Sequence, residues 1–337
     1  METVKAGGQT RLNYIDFLKF IGMTGIIMAH VEAPNWAMML RNFDVPLLVI
    51  VSSVLGERSF RKYEGEGIKA AGKYFASRIK RLVIPTWIFL TLYFGVCALQ
   101  GQYYDKRYYA MSYCLTRYGI GYVWIILIYL YSALLVPVFS KIKLSVKGII
   151  GMVSVYCLYE VACYFQIGAG NQFLDTTFFY IVPYGALTCL GYHFCRMNQK
   201  GKRIIAITAA LIFSMFGIYY WLINGEPQSV QIAKYPPTLY YLGYGVAWSF
   251  FLLLFCEKHT FEIYENWIIK YISIHSLGIY FAHILLIKLY DDLSLPGIWY
   301  VKYMIVYVMA FIVVFCGNKL LDFIRKTNIF FLLIYFS

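Results

Sequence analysis

Apolar runs separated by short charged stretches fill almost the whole chain, and they recur at about 20 residues, the length one membrane crossing needs. The pattern predicts helices over 13–31, 38–56, 83–100, 121–139, 148–165, 176–195, 204–223, 237–256, 273–290 and 298–316. The second is the weakest: Arg41 and Asp44 crowd its start, and its fully apolar part begins near Val45. No Gly/Ser linker or shift of composition divides the chain. The reading is therefore an all-α, polytopic membrane protein. It has an N-terminal segment 1–12, one membrane-embedded domain 13–316 and a C-terminal segment 317–337. The last stretch, 328–337, is apolar and aromatic but too short to span. The first run carries Asp16 and Lys19 and lacks a small-residue cleavage site, so it reads as a retained helix and not a cleavable signal.

Composition strengthens this picture. Of 337 residues, 61% are hydrophobic and only 14% charged, where a soluble domain carries about a quarter charged. Mean hydropathy is +0.62. The net charge of +13 raises the possibility of nucleic acid, but its distribution argues against that partner. With both termini cytoplasmic, 22 of the 30 Lys and Arg fall in 1–12, 57–82, 140–147, 196–203, 257–272 and 317–337. The opposite side holds Arg41, Lys106, Arg107, Arg117 and Lys234. That asymmetry is the positive-inside pattern, and an odd number of spans would scramble it. Eight cysteines form no C-x-x-C pair and read as small apolar core residues. No histidine–carboxylate group has zinc spacing, so no metal is expected. Phosphate-loop, dinucleotide and nucleophile-elbow motifs are not found.

The candidate chemistry lies in the ionisable residues of the apolar runs. Lys19 precedes His30 by eleven positions. On a helix this returns to within about 20° of one face and separates the pair by about 16 Å along the axis. Two readings fit: charged groups kept inside a membrane for function, or a lysine snorkelling to one interface and a histidine capping the helix at the other. Asp16 precedes Lys19 by three positions and can partly neutralise it. Glu32 can reach the His30 imidazole only if the helix ends near His30, which Pro34 favours; otherwise it points into the loop. Glu160 lies mid-run and should face the interior or a wet cavity. His193, His275 and His283 sit near span ends. Residues 57–82 read as a cytoplasmic loop with eight cations, closed by Arg78, Lys80 and Arg81. Such a group suits the phosphates of a coenzyme A thioester or the head groups of membrane lipids. Tyr103, Tyr104, Tyr108, Tyr109, Tyr113, Tyr118 and Tyr122 gather on the other side, where aromatic faces and hydroxyls suit sugar rings as well as an interfacial belt.

Several motifs in fixed order resemble the acyltransferase-3 family, the bacterial integral-membrane O-acyltransferases that modify surface polysaccharides. The opening Tyr14-Ile-Asp16-Phe-Leu-Lys19 … His30 is similar to the family's basic residue eleven positions before a histidine. Phe43-Asp-Val-Pro46 … Ser52-Ser53 is similar to its aromatic–x–x–Pro … Ser-Gly segment. Arg78-Ile-Lys80-Arg81-Leu-Val-Ile-Pro85 resembles the basic run opening its third span. Trp124, Val182-Pro183-Tyr184, Tyr235-Pro236-Pro237 and Ser276-Leu-Gly278-Ile-Tyr280-Phe-Ala-His283 follow in order. Lys19 stands where many members have arginine, Ser53 replaces the usual glycine, and aliphatic residues replace a Phe pair before it.

The resemblance implies transfer of an acyl group, most often acetyl, from acetyl-CoA as co-substrate to a sugar hydroxyl. The acceptor would be a capsular or other cell-surface polysaccharide or its lipid-linked precursor, and the site the plasma membrane of a bacterium. His30 would be general base or transient acyl carrier. Lys19 would stabilise donor phosphate or a developing oxyanion, and Arg78, Lys80, Arg81 and Ser52 would lie on the donor side. A transporter of lipid-linked oligosaccharides or a polysaccharide polymerase is the alternative for a chain with ten spans, basic loops and buried charges.

Overall fold

The computed structural model describes residues 3–4, 10–63, 66–142, 146–168, 170–295 and 297–326. Two-residue strands, β1 (Thr3–Val4) and β2 (Thr10–Arg11), pair antiparallel; the described residues after them form helices and connecting loops. The helices are α1 (Asn13–Ala29), α2 (Asn35–Arg41), α3 (Asp44–Phe60), α4 (Ile68–Leu99), α5 (Lys106–Tyr113), α6 (Trp124–Lys141) and α7 (Val146–Tyr164). They continue as α8 (Gln172–Thr176), α9 (Phe178–His193), α10 (Gln199–Asn224), α11 (Leu239–Lys258), α12 (Trp267–Ile274), α13 (Ser276–Asp292) and α14 (Trp299–Lys326).

Among the described residues, seven helices are long and apolar enough to cross a membrane: Asn35–Tyr63, Lys69–Leu99, Trp124–Lys141, Gln172–Arg196, Gln199–Asn224, Leu239–Lys258 and Trp299–Ile324. The α12–α13 pair, bent by 82°, makes an eighth if it is one span. Length and composition thus account for seven or eight of the ten expected spans. The other two expected spans fall on α1 and α7. α1 has 17 residues and carries two charges in its first turns, and the apolar part of the seventh helix covers Gly148–Tyr164. The contrast in burial fits a lipid surround. Only 6% of the apolar window in α10 is covered by protein, against 67% in Asn35–Tyr63. A naked leucine- and isoleucine-rich face of that length has no place in water.

The chain divides into two compact units, residues 39–260 and residues 2–38 with 261–337. In the first, α3 is the central rod, contacted by α4, α6, α9 and α11. Glycines on its neighbours permit the close approach. A Cβ at Gly191 of α9 would sit 2.4 Å from the Ile50 carbonyl and 2.7 Å from Ser53 Cβ, and one at Gly245 of α11 would sit 2.4 Å from Pro46 Cγ. Ser53 fits beneath Gly191 and donates its hydroxyl to the Val49 carbonyl at 2.7 Å. Gly245→Ala is expected to lower stability by about 1–3 kcal/mol through overpacking. Gly72→Ala, with nothing within 4 Å, should be neutral or stabilising by about 0.4–1 kcal/mol. Thermal unfolding of the detergent-solubilised protein separates the two, and equal midpoints would refute the close-packing account.

The basic stretch differs from its expectation. Residues 57–82 are not a loop: after a short 3-10 turn at Arg61–Tyr63, α4 begins at Ile68 and runs 32 residues. At about 1.5 Å per residue this helix is about 48 Å long, well beyond a hydrocarbon core of about 30 Å. Its polar N-terminal turns therefore extend the helix and do not form a separate connection.

In the second unit α1 packs against α12 and α13, and α13 against α14. The break between α12 and α13 contains neither proline nor glycine, only His275 between Ile274 and Ser276. It is held by side chains. Asn266 caps the start of α12, its carbonyl oxygen accepting from Ile268 N–H at 2.9 Å. Asn318 of α14 donates to the Tyr271 hydroxyl at 2.8 Å and lies 3.1 Å from His275 Nδ1.

Candidate active site

α1 presents its ionisable residues to the broken helix pair. Near its start, Lys19 Nζ donates to the Ser273 carbonyl at 2.5 Å, and the Ser273 hydroxyl donates to Asp16 Oδ1 at 2.6 Å. Ser273 is in the last turn of α12, where carbonyls have no partner within the helix and the dipole is negative. A lysine there serves the helix end, and Asp16 holds the same serine from its hydroxyl side. The stripe on α1 therefore meets the break with one end and α13 with the other.

At that other end His30 is the C-cap of α1, its N–H donating to the Ile27 carbonyl at 3.1 Å. Its Nδ1 lies 2.9 Å from Nε2 of His283, the rings stacked with centroids 5.2 Å apart and planes 12° from parallel. His283 is fully buried on α13, and the Tyr280 ring packs 5.0 Å away. Its Nδ1 is buried and has no hydrogen-bond partner among the described residues. Two imidazoles in hydrogen-bond contact must divide donor and acceptor roles, so the tautomer of one fixes that of the other.

The helix does end at His30, as a Glu32–imidazole contact would require, but Glu32 turns elsewhere. It adopts φ +56°, is exposed, and stands 3.8 Å from Lys302 Nζ, whose closer partner is Asp291 at 2.6 Å. The partner of His30 is a histidine 253 residues away, and no local spacing could have shown the pairing. Each histidine alone reads as an interfacial residue.

In the other unit, Arg78 lies on α4 with its guanidinium 4.8 Å above the Tyr74 ring, while Lys80 and Arg81 are exposed on the same helix. Ser52 is half-buried within α3. Glu160 holds a helix end: its Oε1 accepts from Leu239 N–H at 2.8 Å. That is a carboxylate at the N-terminus of α11, where the helix dipole favours negative charge. Several of the clustered tyrosines pack on Phe94, with centroids 4.6 Å away for Tyr109, 5.9 Å for Tyr104 and 6.2 Å for Tyr113. Among the described residues no group of three His, Cys, Asp or Glu is placed to hold a metal ion.

The order of motifs along the chain agrees with a family-wide comparison. The model of the acyltransferase-3 family, described as an acyltransferase domain, matches residues 12–321. The chain belongs to the acyltransferase-3 family. No curated protein and no solved structure matches it. The acyltransferase-3 match starts one residue before α1 and ends within α14, so the histidine pair, the broken helix and the α4 cations all lie inside it. Membership makes the protein a multi-pass membrane acyltransferase, with an acyl donor and an acceptor as its substrates.

Proposed function

We propose that this protein is an O-acetyltransferase of a bacterial plasma membrane, with ten spans and both termini cytoplasmic, and that His30 is its base. The donor is acetyl-CoA, and the acceptor a hydroxyl of a cell-surface polysaccharide or its lipid-linked precursor. The observation that carries the reading is the 2.9 Å His30–His283 contact in a chain of an acyltransferase family.

With His283 protonated on Nδ1, its Nε2 accepts and His30 Nδ1–H donates. That tautomer puts the basic lone pair of His30 on Nε2. The acceptor oxygen attacks the thioester carbonyl, a C–O bond forms as the C–S bond breaks, and the hydroxyl proton passes through His30 Nε2 to the departing thiolate. Imidazole has a pKa near the working pH, as a general base should. A transient acyl group on His30 uses the same nitrogen. Lys19, engaged with the end of α12, is given the role of positioning α1 in place of direct contact with the donor.

Arg78, Lys80 and Arg81, with Ser52, are assigned to the donor side. Replacing Arg78 and Arg81 together by alanine is expected to raise the KM for acetyl-CoA about tenfold with kcat little changed, because phosphate contacts to arginine bind ground and transition states alike. An unchanged donor KM, read by release of free CoA thiol, would reduce these residues to topology anchors. The reading as a whole is tested by incubating purified protein with acetyl-CoA and glycan and following ester formation by NMR; no ester would overturn it.

A further inference from the structure

Within residues 39–260, a second cluster of polar groups lies apart from the α4 cations. Lys234 precedes the Tyr235–Pro236 bond, which is cis, and its side chain is 4% exposed. Its ammonium lies over two aromatic faces, 5.9 Å from the Trp124 centroid and 5.6 Å from that of Tyr235. Among the described residues it makes no ion pair and no side-chain hydrogen bond. Burial lowers its pKa from the usual lysine range to about 8, with Arg41 adding to the effect and Asp44 opposing it.

The charges around it are already matched. Arg41 pairs with Asp44 at 2.5 Å and Arg117 with Asp175 at 2.5 Å, which leaves the lysine as the uncompensated cation. Trp124 is the centre of the aromatic wall, with ring centroids of Tyr235 at 5.5 Å, Tyr180 at 5.8 Å and Tyr184 at 6.2 Å. The hydroxyls of Tyr180 and Tyr184 are buried and make no hydrogen bond among the described residues. The cluster reaches the surface at Tyr235, which is 39% exposed, with the half-buried Arg117 guanidinium 5.3 Å above its ring. A buried ammonium and buried hydroxyls without partners are costly unless a ligand completes them. A group that suits these side chains carries a single negative charge with further oxygens on a body with an apolar face for the aromatic rings.

We propose that Lys234, Trp124 and Tyr235 form a subsite for a carboxylate-bearing sugar, a uronic-acid-type residue of the acceptor glycan. The proposal rests on the reading of the acceptor as a polysaccharide. One unmatched cation suits a carboxylate better than a phosphate dianion, and the aromatic wall suits the C–H face of a pyranose. Lys234 then selects acidic glycans over neutral ones.

The test is binding to the full-length protein in nanodiscs, without acyl donor, read by saturation-transfer NMR titration. The probes are methyl β-D-glucuronide, methyl β-D-glucoside and glucose 1-phosphate. The glucuronide is expected to bind about tenfold tighter than the glucoside, as one charge-assisted contact allows. Lys234→Met should bring that ratio to about one, and Lys234→Arg should keep most of it. Equal binding of the two glycosides by the wild-type protein would overturn the proposal whether or not any variant folds. Tighter binding of glucose 1-phosphate would overturn the carboxylate assignment. His30→Ala should retain the glucuronide preference. Loss of acyl transfer with the preference intact therefore bears on the base, and loss of the preference with transfer intact bears on the subsite.

Discussion

His30→Ala is expected to reduce acyl transfer by about 10²–10⁴-fold, the usual worth of a general base, and His283→Ala by a smaller factor. The two differ in kind. Removing His30 deletes the group that takes the proton. Removing His283 leaves a base whose tautomer and ring orientation are no longer fixed, so a fraction of His30 still presents Nε2 correctly. His283→Gln, whose amide oxygen can accept from His30 Nδ1–H, should recover part of the loss, whereas His283→Leu should not. Initial rates of CoA release and of ester formation, with the amount of folded protein checked by gel filtration, give the comparison. Near-normal rates in His30→Ala would remove the base from the mechanism. Equal rates for the glutamine and leucine variants at position 283 would reduce that histidine to packing.

Arg41→Met should be the most damaging stability change among those considered, at about 3–5 kcal/mol. Arg41 and Asp44 are both buried, and the Arg41 Nη1–Asp44 Oδ2 contact is 2.5 Å. Asp44 Oδ1 also accepts from the Val45 N–H at 2.6 Å, so the carboxylate is tied to the start of α3. Removing the arginine leaves that charge buried and unpaired, which costs several kcal/mol where the intact pair is itself worth little. Replacing both residues, as Arg41→Met with Asp44→Asn, should recover most of the loss. A thermal-unfolding series of the wild type, both single variants and the double variant decides the matter. Additive losses would mean that the two residues do not act as a pair.

These two sites also show how far the sequence can be read. The eleven-residue spacing places Lys19 and His30 on one stripe of α1, and both lie against the broken α12–α13 pair. The spacing cannot say what they meet, because Ser273 and His283 lie more than 250 residues away and contribute no local periodicity. Arg41 and Asp44, three residues apart, are a different case. As isolated charges they weaken the hydropathy of the second span, and only their contact shows why a buried helix tolerates them. The basic stretch before Pro85 reads as a loop because its charge density is high, yet Ala70, Ala71 and Ala76 carry helical propensity straight through it. The α12–α13 break has no proline or glycine to announce it, and the contacts made there by Asn318, Lys19 and Asp16 come from helices distant in sequence. The family motifs, by contrast, are legible because they are short and ordered along the chain, and the family comparison covers them all.

The Lys19–Ser273 contact also has a consequence for biosynthesis. Its partners are separated by 254 residues, and a ribosome adding about 5–20 residues per second takes on the order of 13–50 s to cover that interval. For all that time α1 has left the ribosome without the serine that both Asp16 and Lys19 bond in the folded protein. The first helix of the nascent chain completes its contacts only when one of the last helices arrives, and until then a polar-tolerant setting, at the membrane surface or beside an insertion factor, favours it. Chains cut short before Ser273 should be cleared by membrane quality control far faster than chains cut after α13, however well their middle helices have folded.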